Sequence, residues 1–395
     1  MKIVAILEDS ITAGGEFCQA LNAIIQMKRI CEDAFEFEVA TLHAENVSLL
    51  EKLGVRSQLF KYSAVDKFIS LSSSSSVLKL ILNSLKIRGP FETRLQNQDV
   101  DLVYFVSETS SSNKLQELNF INTVVDVCHR DWPEFPEVKT SGNFYWREQH
   151  LKYNLAPSLI VLTASDQLSA QLSARYGIDR ERLLSMPFSV AHFLKDEFSE
   201  GTKLVLKTYS LQEGYFFYPA QFWAHKNHIR ILEALLVLRK NGIEYKVVFA
   251  GGDKDNLSYI KCYVQRHSLE KQVKFLGFVP AEHMRGLYEG CLAVVMPTYF
   301  GPTNLPPLEA WTIGRPLIYS SHLIDDVGDA ALCINPDSSE ELANAMMSCE
   351  DAGIRDLLVE AGRLRLKEIE NQRTDAESRL KLILLKFSLR RRCWA

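Results

Sequence analysis

Short apolar runs alternate with helical segments through most of the chain, and this alternation restricts the possible folds more than any other feature. Lys2–Leu7 is a nearly continuous apolar run, and a segment with helical periodicity follows it from Phe17 to Met27. The same order of strand and helix recurs from Leu159 to Tyr176 and from Tyr215 to Leu238. Apolar strands without polar alternation are typical of parallel sheets with helices on both faces. The sequence therefore predicts an α/β protein with doubly wound parallel sheets.

The 395 residues are enough for two domains of ordinary size. Strand–helix units occupy the chain to about residue 190 and begin again at Tyr215, while Lys195–Gly214 between them is polar and charged. We predict a first domain over 1–194, a linker over 195–214, a second domain over 215–372 and, over 373–395, a helix that packs back on the first domain. The serine tract Ser70–Ser76 is predicted to be a surface loop.

Composition excludes several classes of protein. A hydrophobic content of 47% and a charged content of 24% are typical of a soluble globular protein, and the net charge of −4 does not favour nucleic-acid binding. The 8 cysteines show no C-x-x-C pair, which argues against a zinc site or a disulfide framework. No apolar run approaches the length of a membrane span. These features predict a cytoplasmic protein.

The most informative single stretch is Met296–Trp311. An apolar strand ends in a loop rich in glycine, proline and asparagine, and a helix is predicted to begin at Leu308, with Glu309 in its first turn. Such a loop lies at the carboxyl edge of a parallel sheet, where free N–H groups suit a phosphate and a carboxylate could hold a sugar hydroxyl. The stretch also fits a proline-rich turn in which Glu309 is favoured only by the helix dipole.

Four further loops carry polar or flexible residues at predicted strand ends. Gly14 and Gly15 follow the first strand, His129 follows the predicted strand Asn122–Cys128, and Lys226 precedes a helix for which Asn227 is the expected cap. Each feature has a plainer explanation: a glycine turn, a histidine bonded to backbone, or a solvated lysine. The fourth loop, Gly277-Phe278, is a glycine turn after Val273–Phe275.

Together these motifs resemble family 4 glycosyltransferases of the GT-B fold, in which two Rossmann-like domains face each other across a cleft. The resemblance is strongest from Tyr218 to Leu366. Pro219–His228 is similar to the family's diphosphate-binding loop, Leu276–Val279 to the turn that meets the nucleotide base, and Pro297–Glu309 to its two-glutamate motif. The N-terminal half is less similar.

The resemblance implies a role for each matching residue. Glu309 would hold the ribose, Lys226 the diphosphate, and His129 would lie next to the transferred sugar. Backbone at Gly14 and Gly15 would approach the diphosphate. The remaining predicted donor contacts are Gln221, Gly277, Phe278, Thr303, Asn304 and Leu305.

Three positions depart from the family pattern. Gly301 stands where the first glutamate of the motif is expected, Gln221 where an arginine usually assists the lysine, and Val125 where the first histidine of a His-Asp-x-x-His pattern would fall. All three positions would lie near the donor, so these changes bear on which donor is used.

The resemblance implies a retaining, metal-independent enzyme that transfers a mannose- or rhamnose-like sugar from a nucleotide-diphosphate sugar, with a GDP-sugar favoured. The acceptor would be a glycan or a lipid-linked glycan in surface polysaccharide or lipopolysaccharide synthesis. The basic C-terminal segment could pack on the protein or touch the inner face of the membrane. Alternatives are a catalytically silent sugar-nucleotide-binding subunit and a nucleotide-sugar 2-epimerase.

Overall fold

A computed structural model describes residues 1–11, 14–72, 80–81, 84–85, 87–190, 194, 201–301 and 305–394. The chain divides into two compact units. The N-terminal unit comprises Met1–Pro133, Val138–Ser189 and Asn371–Ala395, and the C-terminal unit comprises Glu134–Glu137 and Val190–Glu370. Each unit contains one parallel sheet, so the predicted pair of parallel-sheet α/β domains is confirmed.

The sheet of the N-terminal unit has the strand order β3-β2-β1-β4-β5-β6-β7, with every neighbouring pair parallel. Its strands are β1 (Lys2–Leu7), β2 (Glu36–Thr41), β3 (Ser57–Leu59), β4 (Leu102–Phe105), β5 (Asn119–Val124), β6 (Ile160–Thr163) and β7 (Leu183–Ser185). The α-helices of this part of the chain are α1 (Gly15–Cys31), α2 (Ala44–Lys52), α3 (Ala64–Ser72), α4 (Pro90–Gln96), α5 (Cys128–Asp131), α6 (Pro136–Lys139), α7 (Asn143–Asn154) and α8 (Asp166–Tyr176).

The sheet of the C-terminal unit has the order β10-β9-β8-β11-β12-β13 and is also parallel throughout. Its strands are β8 (Tyr215–Pro219), β9 (Val247–Ala250), β10 (Val273–Phe275), β11 (Cys291–Met296), β12 (Leu317–Ser320) and β13 (Leu332–Ile334). The α-helices are α9 (Thr202–Thr208), α10 (His228–Lys240), α11 (Leu257–Arg266), α12 (Ala281–Gly290), α13 (Leu305–Ile313), α14 (Ile324–Val327) and α15 (Ser339–Ser348), followed by α16 (Ala352–Arg391).

The apolar run of β1 shows why the first sheet is covered on both faces. Ile3, Ala5 and Leu7 belong to one hydrophobic cluster, while Val4 and Ile6 belong to another. Successive side chains of a strand point to opposite faces, so a continuous apolar run needs a packed layer on each side.

Two predicted boundaries are wrong, and both concern candidate site residues. Strand β5 ends at Val124 rather than Cys128, because the Asp126 carboxylate accepts a hydrogen bond from the Cys128 N–H (2.8 Å) and starts a turn. His129 therefore lies in the short helix α5. Helix α13 begins at Leu305, three residues before the prediction, so Glu309 lies beyond the first turn.

Part of the predicted linker is helical. Helix α9 packs against α12 at Gly286 and Gly290, where an added Cβ would lie 2.8 Å from atoms of Val205 and Leu206 respectively. The two glycines, four residues apart on one face of α12, let the helices approach closely. Residues 195–200 of the predicted linker, like Ser73–Ser76 of the serine tract, lie outside the described residues; the tract begins inside α3, which ends at Ser72.

Helix α16 contributes to the core of the N-terminal unit through Ala376, Leu380, Leu384 and Phe387. Gln26 Nε2 donates to the Glu377 carboxylate (2.8 Å) beside this cluster. Among the residues that the structure describes, no helix is both long enough and apolar enough to cross a membrane.

Gly251 provides a test of how closely the loops after β8 and β9 approach each other. A Cβ at Gly251 would lie 2.2 Å from the Ala220 carbonyl oxygen, whereas one at Gly252 would meet nothing within 4 Å. We expect Gly251→Ala to lower the free energy of unfolding by about 1–3 kcal/mol, because backbone must move to relieve the overlap. Gly252→Ala is the matched control. Equal urea midpoints for the two variants would contradict the predicted close approach.

Candidate active site

The candidate site in the C-terminal unit lies where the direction of strand order changes. Strands β8 and β11 are parallel neighbours at the centre of the sheet, and the chain proceeds from them toward opposite edges. Loops that leave such a pair lie side by side at the carboxyl ends of the strands, where open α/β sheets bind ligands. Lys226 lies in the connection after β8, and Glu309 follows β11.

Hydrogen bonds hold the backbone of the Lys226 loop against the loop after β11. The His225 carbonyl accepts from the Tyr299 N–H (2.9 Å) and from Thr298 Oγ1 (3.3 Å). The Lys226 carbonyl accepts from the buried Tyr218 hydroxyl (2.8 Å). Three hydrogen-bond donors from the ends of β8 and β11 thus hold the backbone from which the Lys226 side chain extends.

Asn227 occupies the expected N-cap position of α10, but its side chain does not cap the helix. Its backbone is left-handed (φ 55°), and its amide donates to the carbonyls of Pro297 (3.0 Å) and Pro336 (2.9 Å). The predicted capping bond is therefore wrong. The side chain instead connects the loop after β8 to the loops after β11 and β13.

His225 and Glu137 form a second support for this loop. The His225 ring stacks on Phe300, with centroids 4.0 Å apart and planes 12° apart. The Glu137 carboxylate accepts from the His225 backbone N–H (3.0 Å) and also pairs with its ring Nδ1. Both lie in the C-terminal unit, and these bonds hold the pKa of Glu137 below its usual value despite burial. Sequence reasoning missed Glu137 because it precedes His225 by 88 residues.

Glu309 is buried, with 5% of its surface exposed, and its carboxyl group accepts a hydrogen bond from the Tyr288 hydroxyl of α12. The Tyr288 ring packs edge-on against Phe217 of β8, with centroids 5.1 Å apart. Burial raises the pKa of Glu309 to about 7, and the Tyr288 hydrogen bond opposes that rise. Sequence reasoning missed Tyr288, because a tyrosine at a buried helix position does not reveal the partner of its hydroxyl.

The predicted base-binding turn has the backbone of a glycine turn. Gly277 has a φ of 70°, and its carbonyl accepts from the Gly251 N–H (2.8 Å). Phe278 beside it is 61% exposed, and Gln221 Oε1 accepts from Trp223 Nε1 (3.2 Å). Leu305 is the buried first residue of α13, while Thr303 and Asn304 lie outside the described residues.

In the N-terminal unit, Gly14 and Gly15 stand between β1 and α1. Gly14 has a φ of 71°, which favours glycine, and Gly15 begins the helix on the exposed surface. A Cβ at Gly15 would meet nothing within 4 Å, and the first N–H groups of a helix have no partner within it. This geometry suits an anion, and the phosphate contact stays a prediction.

His129 also lies in the N-terminal unit and is buried. Its Nε2 pairs with the Glu148 carboxylate (2.9 Å), which also accepts two bonds from Arg130 (both 2.7 Å) and one from Tyr176. The Nδ1 atom is enclosed without a hydrogen-bond partner in the structure. Burial and the nearby Arg147 lower the pKa of His129, so a neutral ring is favoured. Contact between His129 and a transferred sugar stays a prediction.

Glu148 is the charged centre of this cluster, and the sequence pattern did not single it out. The hydrogen bonds from Arg130 hold the pKa of Glu148 at about 2. A carboxylate beside Nε2 favours the tautomer that carries the proton there, which leaves Nδ1 as an acceptor. Glu148 therefore fixes both the orientation and the tautomer of His129. Within the described residues, no group of three or more His, Cys, Asp or Glu side chains could hold a metal ion.

Comparison with known proteins agrees with this architecture. Residues 208–364 match the model of a family described as glycosyl transferases group 1. The chain is 25% identical over 257 residues to O-antigen chain mannosyltransferase B of Escherichia coli, covering 63% of this chain and 67% of that protein. It is 24% identical over 202 residues to O-antigen chain mannosyltransferase RfbU of Salmonella typhimurium, covering 51% and 53%.

Among solved structures, Anabaena Alr3699/HepE in complex with UDP and glucose is similar, with a TM-score of 0.69 and 16% identity over 98% of this chain and 100% of that one. Two parallel-sheet domains with this likeness define the GT-B class of fold. Residues 208–364 match the group 1 glycosyl transferases within a chain that has the GT-B fold, and both findings point to a glycosyltransferase.

The buried Glu309 carboxyl should give the C-terminal unit a measurable dependence on pH. The folded protein keeps a proton on Glu309 up to about pH 7, whereas a glutamate carboxyl with its ordinary pKa releases it near 4.5. Stability from this group is therefore lost as pH rises from about 4.5 to 7. Relative to wild type, Glu309→Gln should gain about 2–3 kcal/mol in free energy of unfolding between pH 5 and pH 8, measured by urea unfolding.

Glu289→Gln is the matched control, because the pKa of Glu289 is lowered by bonds from Thr202 and Arg285 despite partial burial. Glu289 is ionised in both the folded and the unfolded state above pH 5, so its difference from wild type should be nearly constant between pH 5 and pH 8. A Glu309→Gln difference that is the same at both pH values would contradict a buried proton on this group.

Proposed function

We propose that the protein transfers a mannose- or rhamnose-like sugar from a nucleotide-diphosphate sugar to a glycan or lipid-linked glycan in O-antigen or other surface polysaccharide synthesis. The observation that carries the proposal is the joining of the Lys226 loop to the loop after β11, which leads into the Glu309 helix, at the β8/β11 strand ends. The similarity to two O-antigen mannosyltransferases supports the sugar and the pathway.

The chemistry needs few protein groups. As the anomeric C–O bond of the donor breaks, negative charge grows on the β-phosphate, and the Lys226 ammonium group with nearby backbone N–H groups would stabilise it. Glu309 would hold the ribose hydroxyls, and the Gly277-Phe278 turn would meet the base. We propose that the acceptor oxygen attacks the face from which the diphosphate leaves, while a phosphate oxygen takes its proton, so the anomeric configuration is retained without a metal.

The nucleotide and the sugar of the donor are supported by different relatives. A GDP-sugar is favoured by similarity to mannosyltransferases, whereas the structural neighbour from Anabaena binds UDP and glucose. Within the described residues, the groups that could contact a base are the backbone of the Gly277-Phe278 turn, the exposed Phe278 ring and the Gln221 side-chain amide. A panel of GDP-, UDP- and dTDP-sugars, with release of nucleotide measured in EDTA, addresses the base, the sugar and the metal together.

Lys226→Ala should lower kcat/KM with the preferred donor by about 100-fold or more, because one charge that stabilises the leaving diphosphate is removed. Lys240→Ala is the control, since Lys240 is exposed and is the last residue of α10, the helix that begins just after Lys226. Turnover by Lys226→Ala at the wild-type rate would contradict the assigned role.

A catalytically silent sugar-nucleotide-binding subunit is the second candidate. It is favoured by three residues that depart from the family pattern, Gly301, Gln221 and Val125. Nucleotide binding that depends on Lys226, without transfer or hydrolysis of any donor in the panel, would support this candidate over the transferase.

A further inference from the structure

The last turns of α16 carry two separate apolar faces. Leu380, Leu384 and Phe387 are buried in the core of the N-terminal unit. On the other side, Leu382, Leu385 and Leu389 are exposed, by 51%, 41% and 62% respectively. Packing of the helix therefore accounts for one set of leucines and leaves the second set in contact with solvent.

The exposed leucines form one stripe. Their spacing of three and then four residues places them on one side of a helix with 3.6 residues per turn. Trp394, 50% exposed, follows shortly after the stripe. A surface helix normally directs charged residues away from the core, so an outward apolar stripe indicates something that covers it.

Basic side chains flank this stripe on both sides. Residues 378–394 contain six basic residues and no acidic one: Arg379, Lys381, Lys386, Arg390, Arg391 and Arg392. At 100° per residue, Arg379, Lys386 and Arg390 fall along one edge of the stripe, and Lys381 and Arg392 along the other. These five are exposed, while Arg391 approaches the Asp101 carboxylate (3.2 Å). We call the three leucines with these five residues the basic leucine face.

The earlier part of the same helix lacks this charge pattern. Leu357 and Leu364 are also exposed, by 73% and 49%, and are seven residues apart, as Leu382 and Leu389 are. Residues 352–370 contain four acidic and four basic residues: Asp356, Glu360, Glu368 and Glu370 with Arg355, Arg363, Arg365 and Lys367. Exposed leucines therefore occur in two electrostatic settings on one helix.

We propose that the basic leucine face binds the surface of an anionic lipid bilayer. Leu382, Leu385 and Leu389 enter the boundary between headgroups and acyl chains, and the flanking cations lie at the level of the lipid phosphates. The helix remains packed on its own unit through Leu380, Leu384 and Phe387. The protein is thus held at the surface without crossing the bilayer.

The charge and the apolar surface of this face together favour an anionic bilayer over a second copy of the chain or a nucleic acid. A second copy packed face to face would bring like charges together, which opposes pairing. A nucleic acid would satisfy the cations but would leave the leucine stripe exposed to water. An anionic bilayer supplies both negative charge and an apolar boundary.

The test is flotation of the full chain with two kinds of vesicle, one of phosphatidylcholine and one of phosphatidylcholine mixed with phosphatidylglycerol. No sugar donor is present, so the outcome is independent of the proposed transferase reaction. We expect binding to the anionic vesicles and little to the neutral ones. Leu382→Ser with Leu389→Ser should lower the partition coefficient at least tenfold. Arg379→Gln with Lys386→Gln and Arg390→Gln should lower it about fivefold per charge removed.

Leu357→Ser with Leu364→Ser is the matched control and should bind as wild type does. A second comparison is Phe68→Ser with Leu71→Ser, which removes exposed apolar side chains from α3. The proposal is overturned if wild type ignores anionic vesicles, if the Leu382/Leu389 variant binds them undiminished, or if only the α3 variant loses binding. The proposal is also overturned if the Leu382/Leu389 variant loses self-association of the chain and keeps its binding to vesicles, because the face would then be a contact between two copies. Unchanged thermal unfolding of each variant excludes misfolding as the cause.

Discussion

Parallel pairing of β8 with β11 is the constraint on which the candidate site depends. Both strands are buried, and their register brings Cys291 to Val294 beside Tyr215 to Phe217 in the middle of the sheet. Their connections must consequently leave from one edge, next to each other, and the His225 carbonyl receives donors from the neighbouring loop. The connection that carries Lys226 and the one that leads to Glu309, more than eighty residues further along the chain, therefore lie side by side at this edge of the sheet.

Periodicity predicted the two parallel sheets and motifs singled out the candidate residues, because continuous apolar runs and glycine-rich strand ends are local signals. Contacts made by single polar atoms were not predictable in this way. Asn227 has the residue type of a cap, yet its amide reaches Pro297 and Pro336. The short edge strands Ser57–Leu59 and Leu332–Ile334 were missed, although the equally short edge strand Val273–Phe275 was predicted.

The hydrogen-bond partners of the candidate residues were also not predictable from local sequence. Glu309 and His129 were found from motif position, but Tyr288 and Glu148, which hold them, come from other helices. Those partners decide the protonation of the residues they touch: a tyrosine hydroxyl opposes the effect of burial on Glu309, and a carboxylate selects the tautomer of His129. Residue type at a motif therefore indicates the kind of chemistry, whereas the charge state depends on neighbours that sequence spacing does not reveal.

Helix α16 has a consequence for the order in which the protein is made. Ala376, Leu380, Leu384 and Phe387 complete a core that otherwise consists of residues 1–186. On the ribosome, the N-terminal unit therefore cannot close this core until the whole of the other unit has been translated. Until then, the part of this core that α16 covers stays open to water or is shielded by a chaperone, and the second domain can reach its native state before the first.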